Sequence, residues 1–167
     1  EIWNLVFTQF NRKDAGALEP LPAKNIDTGM GLERMVSVMQ GVESNFEIDI
    51  FVPIIKAIKA LLPDAKDDYG PQGLRNINAI ADHIRAVTFA VYDGIVPSNE
   101  QRGYVVRKLI RKAGFHGWTS GIRKPFLYKL VPDVCKVYDD HFPVLPMRWE
   151  DFAMVVLAEE RIFASPL

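Results

Sequence analysis

NIDTGMGLERM, residues 25–35, is where an extended segment meets a helix. Up to Thr28 the residues suit a strand. From Leu32 the apolar positions Leu32, Met35, Val36 and Met39 recur at helical spacing, and Gly41 ends the run. Between the two patterns stand Gly29 and Gly31, then Glu33 and Arg34. A glycine has no Cβ, so another group can approach its backbone closely. A helix N-terminus attracts negative charge, and an arginine in the first turn offers a planar fork to phosphate. The combination follows the grammar of a nucleotide site. It is neither a Rossmann fingerprint, which needs a third glycine, nor a P-loop, which needs Gly-Lys-Ser/Thr. Spacing alone leaves a second reading open, a glycine-rich turn with a solvated Glu-Arg pair.

Working outward, EIWNLVFTQF at residues 1–10 alternates tightly. Trp3, Leu5 and Phe7 fall on one face; Ile2, Val6 and Phe10 fall on the other. Asn4 and Thr8 are the polar exceptions. Two apolar faces predict a strand covered on both sides. RKDAG is a turn, ALEPL a short return strand limited by its prolines, and AKNID a third strand. The rest reads as helix. Phe51, Ile54, Ile55, Ile58, Leu61 and Leu62 make one stripe, with Pro53 near its start and Pro63 after it. DDYGPQG, residues 67–73, is expected to be a loop and the domain boundary. Ile77, Ile80, Ile84, Val87 and Val91 make the next stripe, closed by Gly94. A further helix starts near Ser98, PFLYKLVPDVCKVY is helical with a break at Pro132, and Trp149, Phe152, Val156 and Phe163 mark a last helix. The expected fold class is α+β, mostly α: short antiparallel strands followed by a helical bundle, with residues 1–70 and 71–167 as the two parts.

With 167 residues, 49% hydrophobic and 25% charged, the chain can bury a sizeable core. The formal net charge is −1, so average composition does not point to nucleic acid. One cysteine, Cys135, excludes an internal disulfide framework and a cysteine-rich zinc site. The three histidines have no metal spacing. No apolar run approaches the ~18 residues of a membrane span, and a reducing, aqueous setting without a membrane partner is the expectation, cytoplasmic with an organelle left open. Residue 1 already stands inside a strand pattern, so the chain is expected to be a piece of a larger protein.

Charge is distributed unevenly. From Gln101 to Pro132 no acidic residue occurs, against eight basic ones: Arg102, Arg107, Lys108, Arg111, Lys112, Arg123, Lys124 and Lys129. On a helical wheel Val105, Val106, Leu109, Ile110 and Ala113 share one arc. Arg107, Lys108, Arg111 and Lys112 share the opposite one. Ser98 and Gln101 have capping-box spacing at the start, which would fix the direction of Asn99 and Glu100. A helix with one packing face and one cationic face suits RNA phosphates. A solvated charged face is the competing reading, weakened by the lack of interleaved acids. On the preceding helix, Asp82 and Arg85 could brace this face, with structural pairing the expected reading.

GMGLER resembles motif 3 of the class II aminoacyl-tRNA synthetases, and the longer NIDTGMGLERM is similar to the form found in the alanyl-tRNA synthetases. EIWNLVFTQFNR resembles the strand before motif 3 in that family. IADHIRAVTF and PSNEQRGYVVRKLIRKA resemble its helical tRNA-recognition segment. The likeness runs in order from residue 1 to about residue 130, and Pro143 to Trp149 is less distinctive. The resemblance implies that Gly29, Gly31 and Arg34 meet ATP, with Arg34 at the phosphates. It implies that Asp27 holds the alanine ammonium and that Asn4, Val6 and Gly29 line the pocket around a methyl side chain. It implies that Arg102, Arg107, Lys108, Arg111 and Lys112 hold the tRNA(Ala) acceptor stem while Asn99 reads its wobble pair. Magnesium would accompany ATP, and zinc would belong to an editing region these residues do not include. The family's motifs 1 and 2 are not found, so the isolated chain is expected to be inactive, with no catalytic residue and no metal ligand of its own. Two other classes fit the residues less well: a stand-alone RNA-binding helical module, which would leave the nucleotide half-site without a use, and a helical interaction domain with no ligand.

Overall fold

The computed structural model describes residues 1–63 and 69–164. The chain divides into two compact units, Glu1–Ile48 and Asp49–Leu167.

The first unit is built on one antiparallel ladder, β1 (Trp3–Arg12) with β2 (Leu18–Met30). A turn joins them: the Lys13 N–H donates to the Ala17 carbonyl at 2.9 Å, and Ala15 and Gly16 take φ of 66° and 83°. Positive φ at a non-glycine such as Ala15 is uncommon. The two short strands expected from ALEPL and AKNID are one strand. Both parts pair with β1, and the ladder slips register between Thr8 and Phe10, where Phe10 comes opposite Pro20. Pro20 and Pro22 cannot donate to a ladder, so the pairing dislocates there rather than ending. The expectation that β1 is covered on both sides is not met within this unit. Trp3 and Phe7 are 60% and 63% exposed on one face, and Val6 and Phe10 are each 51% exposed on the other.

Helix α1 (Leu32–Gln40) begins at its N-cap Gly31 and ends on Gly41, whose φ of 68° is the left-handed conformation glycine takes freely. A 3-10 turn follows at Asn45–Glu47, with a capping box in which the Ser44 Oγ accepts the Phe46 N–H at 3.2 Å and the Glu47 carboxylate accepts the Ser44 N–H at 3.1 Å.

The second unit is helical: α2 (Val52–Leu61), α3 (Gly70–Tyr92), α4 (Gln101–Thr119), α5 (Val131–Val137) and α6 (Trp149–Ala164). Its centre is α3, which packs on α2, α4, α5 and α6. The predicted stripe Ile77, Ile80, Ile84, Val87 and Val91 is its buried face, and Ile54 and Ile58 of α2, which packs on α3, are further core residues. Each such side chain contributes about 1.5–3 kcal/mol by burial. The expected loop at 67–73 differs. Gly70 to Gly73 are the first turn of α3, where Pro71 loses nothing by lacking an N–H; Asp67 and Asp68 lie outside the described residues.

The predicted break at Pro132 is a change of helix type. A 3-10 turn at Leu127–Leu130 runs into α5, with Pro132 in its first turn. The start of this run is satisfied from a distance. Glu160 of α6, 4% exposed, accepts the N–H groups of Phe126 and Leu127 at 2.9 Å and of Tyr128 at 3.1 Å. Burial raises its carboxyl above the ordinary range, against the pull of those donors and of Lys129. Asn76 of α3, also buried, ties α3 to the end of α4. Its Nδ2 donates to Thr119 and Ser120 at 3.3 and 3.2 Å, and its Oδ1 faces the His116 Nδ1 at 3.0 Å.

Candidate nucleotide and RNA-binding surfaces

In the first unit the ladder register sets the geometry. Asn4 stands opposite Gly29 and Val6 opposite Asp27. Residues directly opposite share a face, as do residues two apart on one strand. Asn4, Val6, Asp27 and Gly29 therefore form two adjacent cross-strand pairs on one face. A Cβ on Gly29 would lie 3.4 Å from the Asn4 Oδ1, so glycine leaves open the ground beside that amide. The Asn4 Nδ2 donates to the Glu1 carboxylate at 2.7 Å. Asp27 is exposed, and its Oδ1 accepts the N–H of Thr28 at 2.9 Å. It does not cap α1, a role that Gly31 fills four residues later.

Gly31 has a use the sequence did not reveal. A Cβ there would lie 3.2–3.5 Å from the Cδ, Cγ and Cβ of Arg34. The arginine stem lies over the glycine and turns back toward β1, where its Nη1 donates to the Glu1 carbonyl at 2.8 Å. The Gly31 N–H donates to the Ile2 carbonyl at 3.1 Å, which closes the junction. Glu1 thus joins Arg34, through its carbonyl, to Asn4, through its carboxylate. The result is an exposed arginine at the start of α1 beside a face carrying an amide, a carboxylate, an apolar wall and a bare backbone.

In the second unit α4 buries Gly103, Val106, Ile110, Ala113 and Gly117. The predicted arc is rotated: Val105 is 55% exposed, and the small residues Gly103 and Gly117 stand in the contact. The cations divide into two groups. Arg102, Lys108 and Lys112 are exposed. Arg107 and Arg111 turn toward α6, where both donate through Nε to the Oε1 of Glu159, at 2.9 and 2.8 Å. The segment without acids in sequence therefore acquires one from ~50 residues away. Glu159 was missed because charge was counted locally. The signal was its place with Phe152, Val156 and Glu160 on the buried side of α6. Asp82 and Arg85 pair with each other at 3.1 Å, as expected.

Asn99 is exposed in the turn before α4, and its Oδ1 accepts from the Nη1 of Arg107. The expected capping box at Ser98 does not form. Glu100 is the N-cap, the Ser98 N–H donates to the Gly103 carbonyl at 3.1 Å, and the Ser98 hydroxyl bonds locally to Glu100. Gly103 is essential to that arrangement, since a Cβ would fall 2.2 Å from the Ser98 Oγ and 2.5 Å from the Val96 carbonyl oxygen. Among the described residues no group of three or more His, Cys, Asp or Glu could hold a metal ion, and no helix is long and apolar enough to cross a membrane.

The profile of the family described as tRNA synthetases class II (A) matches residues 1–167. The alanine–tRNA ligase of Bacillus velezensis is 50% identical over 169 aligned positions, which take in 100% of this chain and 19% of that protein. The alanine–tRNA ligase of Enterococcus faecalis is 50% identical over 163 positions, 98% of this chain and 18% of the relative. That of Bacillus subtilis is 48% identical over 169 positions, with 100% and 19% covered. The chain spans about a fifth of the length of the curated relatives it matches, 19% of the first. The match takes in the strand–glycine–helix junction and the cationic helix together, and this chain belongs to the class II (A) tRNA synthetases.

Proposed function

We propose that these residues are the motif 3 portion and the beginning of the tRNA-recognition portion of an alanine–tRNA ligase, which activates alanine with ATP and esterifies tRNA(Ala). The functional division follows residues 1–70 and 71–167. The observation that carries the reading is the pairing of Asn4 with Gly29 and of Val6 with Asp27 on one face, next to Arg34 at the start of α1. That set matches the substrate piece by piece. The Asp27 carboxylate pairs with the α-ammonium of alanine. Val6 and the bare Gly29 leave a small apolar space for a methyl group, and Asn4 lines it. Arg34 offers its fork to the phosphates of ATP, with Gly29 and Gly31 keeping the backbone accessible. A ladder this apolar on both faces is what an interior part of a larger sheet needs.

Magnesium would come with ATP. Such an ion is held mainly by the phosphates with one or two carboxylates, so it needs no cluster of three or more ligands among the described residues. Zinc belongs, by the family resemblance, to an editing region outside these residues.

On α4, exposed Arg102, Lys108 and Lys112 are proposed to hold acceptor-stem phosphates. Arg107 and Arg111 join them at the edge, because a guanidinium has five N–H donors and its Nε bond to Glu159 leaves others available. Asn99 reads the wobble pair in the wide, shallow minor groove of the RNA duplex.

The test is Arg34→Ala in the complete enzyme, followed by alanine-dependent pyrophosphate exchange. Losing a charge-assisted contact to the reacting phosphates costs about 2–4 kcal/mol, roughly thirtyfold or more in rate. The Michaelis constant for alanine should move little. A loss below about threefold would remove Arg34 from the phosphate site.

A further inference from the structure

We infer that Glu159 of α6 is a positioning residue for RNA reading: it holds Arg107, and Arg107 holds Asn99. The inference rests on the reading of Asn99 as the group that contacts the wobble pair. The side chain of Glu159 is only 6% exposed, and one of its oxygens receives the Nε of both Arg107 and Arg111. A carboxylate so far from water needs close compensation, and two guanidiniums one helical turn apart provide it. The first of them does a second thing. Arg107 is 19% exposed, and its Nη1 donates to the Asn99 Oδ1.

The geometry transmits position because a guanidinium is planar. Once Nε is fixed on Glu159, the direction of Nη1 is fixed too. Glu159 stands on a helix whose neighbouring residues Phe152, Val156 and Glu160 are buried, so the reference point is rigid while the Asn99 turn is exposed. With its carbonyl engaged by Arg107, Asn99 turns its NH2 outward as a donor. The buried pair thus sets both where the asparagine stands and which half of its amide meets RNA. A lysine at 107 would not do this, since a point-like ammonium cannot span the two acceptors in one fixed plane.

The experiment is a double-mutant cycle in the complete enzyme, with Glu159→Gln, Asn99→Ala and the pair combined. For each, kcat/KM of aminoacylation is measured on tRNA with and without the wobble pair, and alanine-dependent pyrophosphate exchange reports on folding and on the separate activation site. Glu159→Gln keeps an acceptor oxygen but removes the charge that holds both guanidiniums, and should lower the discrimination ratio about fivefold or more, the order that losing charge assistance in a side-chain hydrogen bond gives. The combined variant should discriminate no worse than Asn99→Ala alone, because both changes remove one contact. Losses that multiply, or an unchanged ratio with normal exchange, would overturn the inference and leave Glu159 as a clamp between α4 and α6. An unchanged ratio in Asn99→Ala would instead overturn the reading of Asn99, and the role of Glu159 with it. If Glu159→Gln loses exchange through misfolding, Arg107→Lys takes its place in the same cycle, with Glu159 still paired to Arg111. A loss that does not add to Asn99→Ala supports the inference; a multiplied or absent loss rejects it.

Discussion

Gly103→Ala separates helix propensity from loop placement. Alanine is favoured over glycine in a helix by up to about 1 kcal/mol, and Gly103 stands in the first turn of α4, so propensity alone predicts a modestly more stable protein. The surroundings of Gly103 predict the opposite. An added Cβ would stand 2.2 Å from the Ser98 Oγ, 2.9 Å from the Ser98 Cβ and 2.5 Å from the carbonyl oxygen of Val96. Carbon–oxygen contacts normally begin near ~3.3 Å, so the overlap is about 1 Å. Ser98 can rotate its hydroxyl away, but Val96 presents backbone. Segment 96–99 has to move, and the Ser98 N–H loses its 3.1 Å bond to the Gly103 carbonyl. Overpacking of this kind costs about 1–3 kcal/mol, which equals or exceeds the propensity gain. Stability should be unchanged or fall by up to about 2 kcal/mol while Asn99 is displaced. A good polar base contact is worth about 1–3 kcal/mol by analogy with DNA readout, so discrimination between tRNA with and without the wobble pair should fall roughly tenfold. The assay is aminoacylation of the two tRNAs by the complete enzyme, with alanine activation as the control. Adding Ser98→Ala relieves only the hydroxyl part of the clash and should restore only part of the loss. Wild-type discrimination in Gly103→Ala, together with a raised melting temperature, would refute the reasoning.

Lys108→Ala should weaken every RNA alike and flatten the log–log salt dependence of binding by roughly 0.7–0.9, leaving the wobble-pair ratio intact; a changed ratio assigns Lys108 to base reading. Burial first, then the charges of His83 and Lys112, hold the His116 imidazole below its ordinary value. The folded chain therefore binds fewer protons than the unfolded one, and the stability this contributes is present above about pH 6.5 and lost as pH falls through the depressed value. Urea unfolding between pH 7.5 and 5 should show a loss that His116→Gln lacks, and identical pH slopes would count against it. Burial pushes the Cys135 thiol up to about 11. Iodoacetamide at pH 8 should therefore modify it roughly a hundredfold more slowly than in the unfolded chain, and native rates within about tenfold of the unfolded ones would contradict that setting.

Where one residue period governed, the sequence was readable. The stripe Ile77, Ile80, Ile84, Val87, Val91 became the buried face of α3 because a 3.6-residue period has only one packing solution. Gly41 and Gly94 ended helices because they supply positive φ, 68° and 84°. The hairpin was readable, but the continuity of β2 was not, since prolines speak for a strand end and a bulge can carry pairing past them. That continuity decides the candidate site: only once Asp27 and Gly29 are in register with Val6 and Asn4 do the four share a face. The start of α3 was missed because Gly70, Pro71 and Gly73 look like a loop, although proline is at home in a first turn. Ser98 and Gln101 had the spacing of a capping box, but the close approach of segment 96–98 to Gly103 captured the serine instead.

The cationic helix shows how a one-dimensional charge count misleads. Read along the chain, Arg107, Lys108, Arg111 and Lys112 are one patch. In three dimensions neighbouring residues stand about 100° apart around the helix, and Glu159 receives Arg107 and Arg111. Two of the four are therefore tied to a buried carboxylate. Their charge is partly spent on a buried carboxylate, and they gain fixed orientation in return. The others, with Arg102, remain exposed. The division matches two different demands. Non-specific affinity needs cations that follow phosphates and release counterions, which exposed lysines on flexible stems do well. Base reading needs a group held still, since a hydrogen bond that discriminates must be in place before the wrong partner can adapt to it. On the proposed RNA-binding face, a single acidic residue on a distant helix would convert half of a cationic stripe from the first kind of surface to the second.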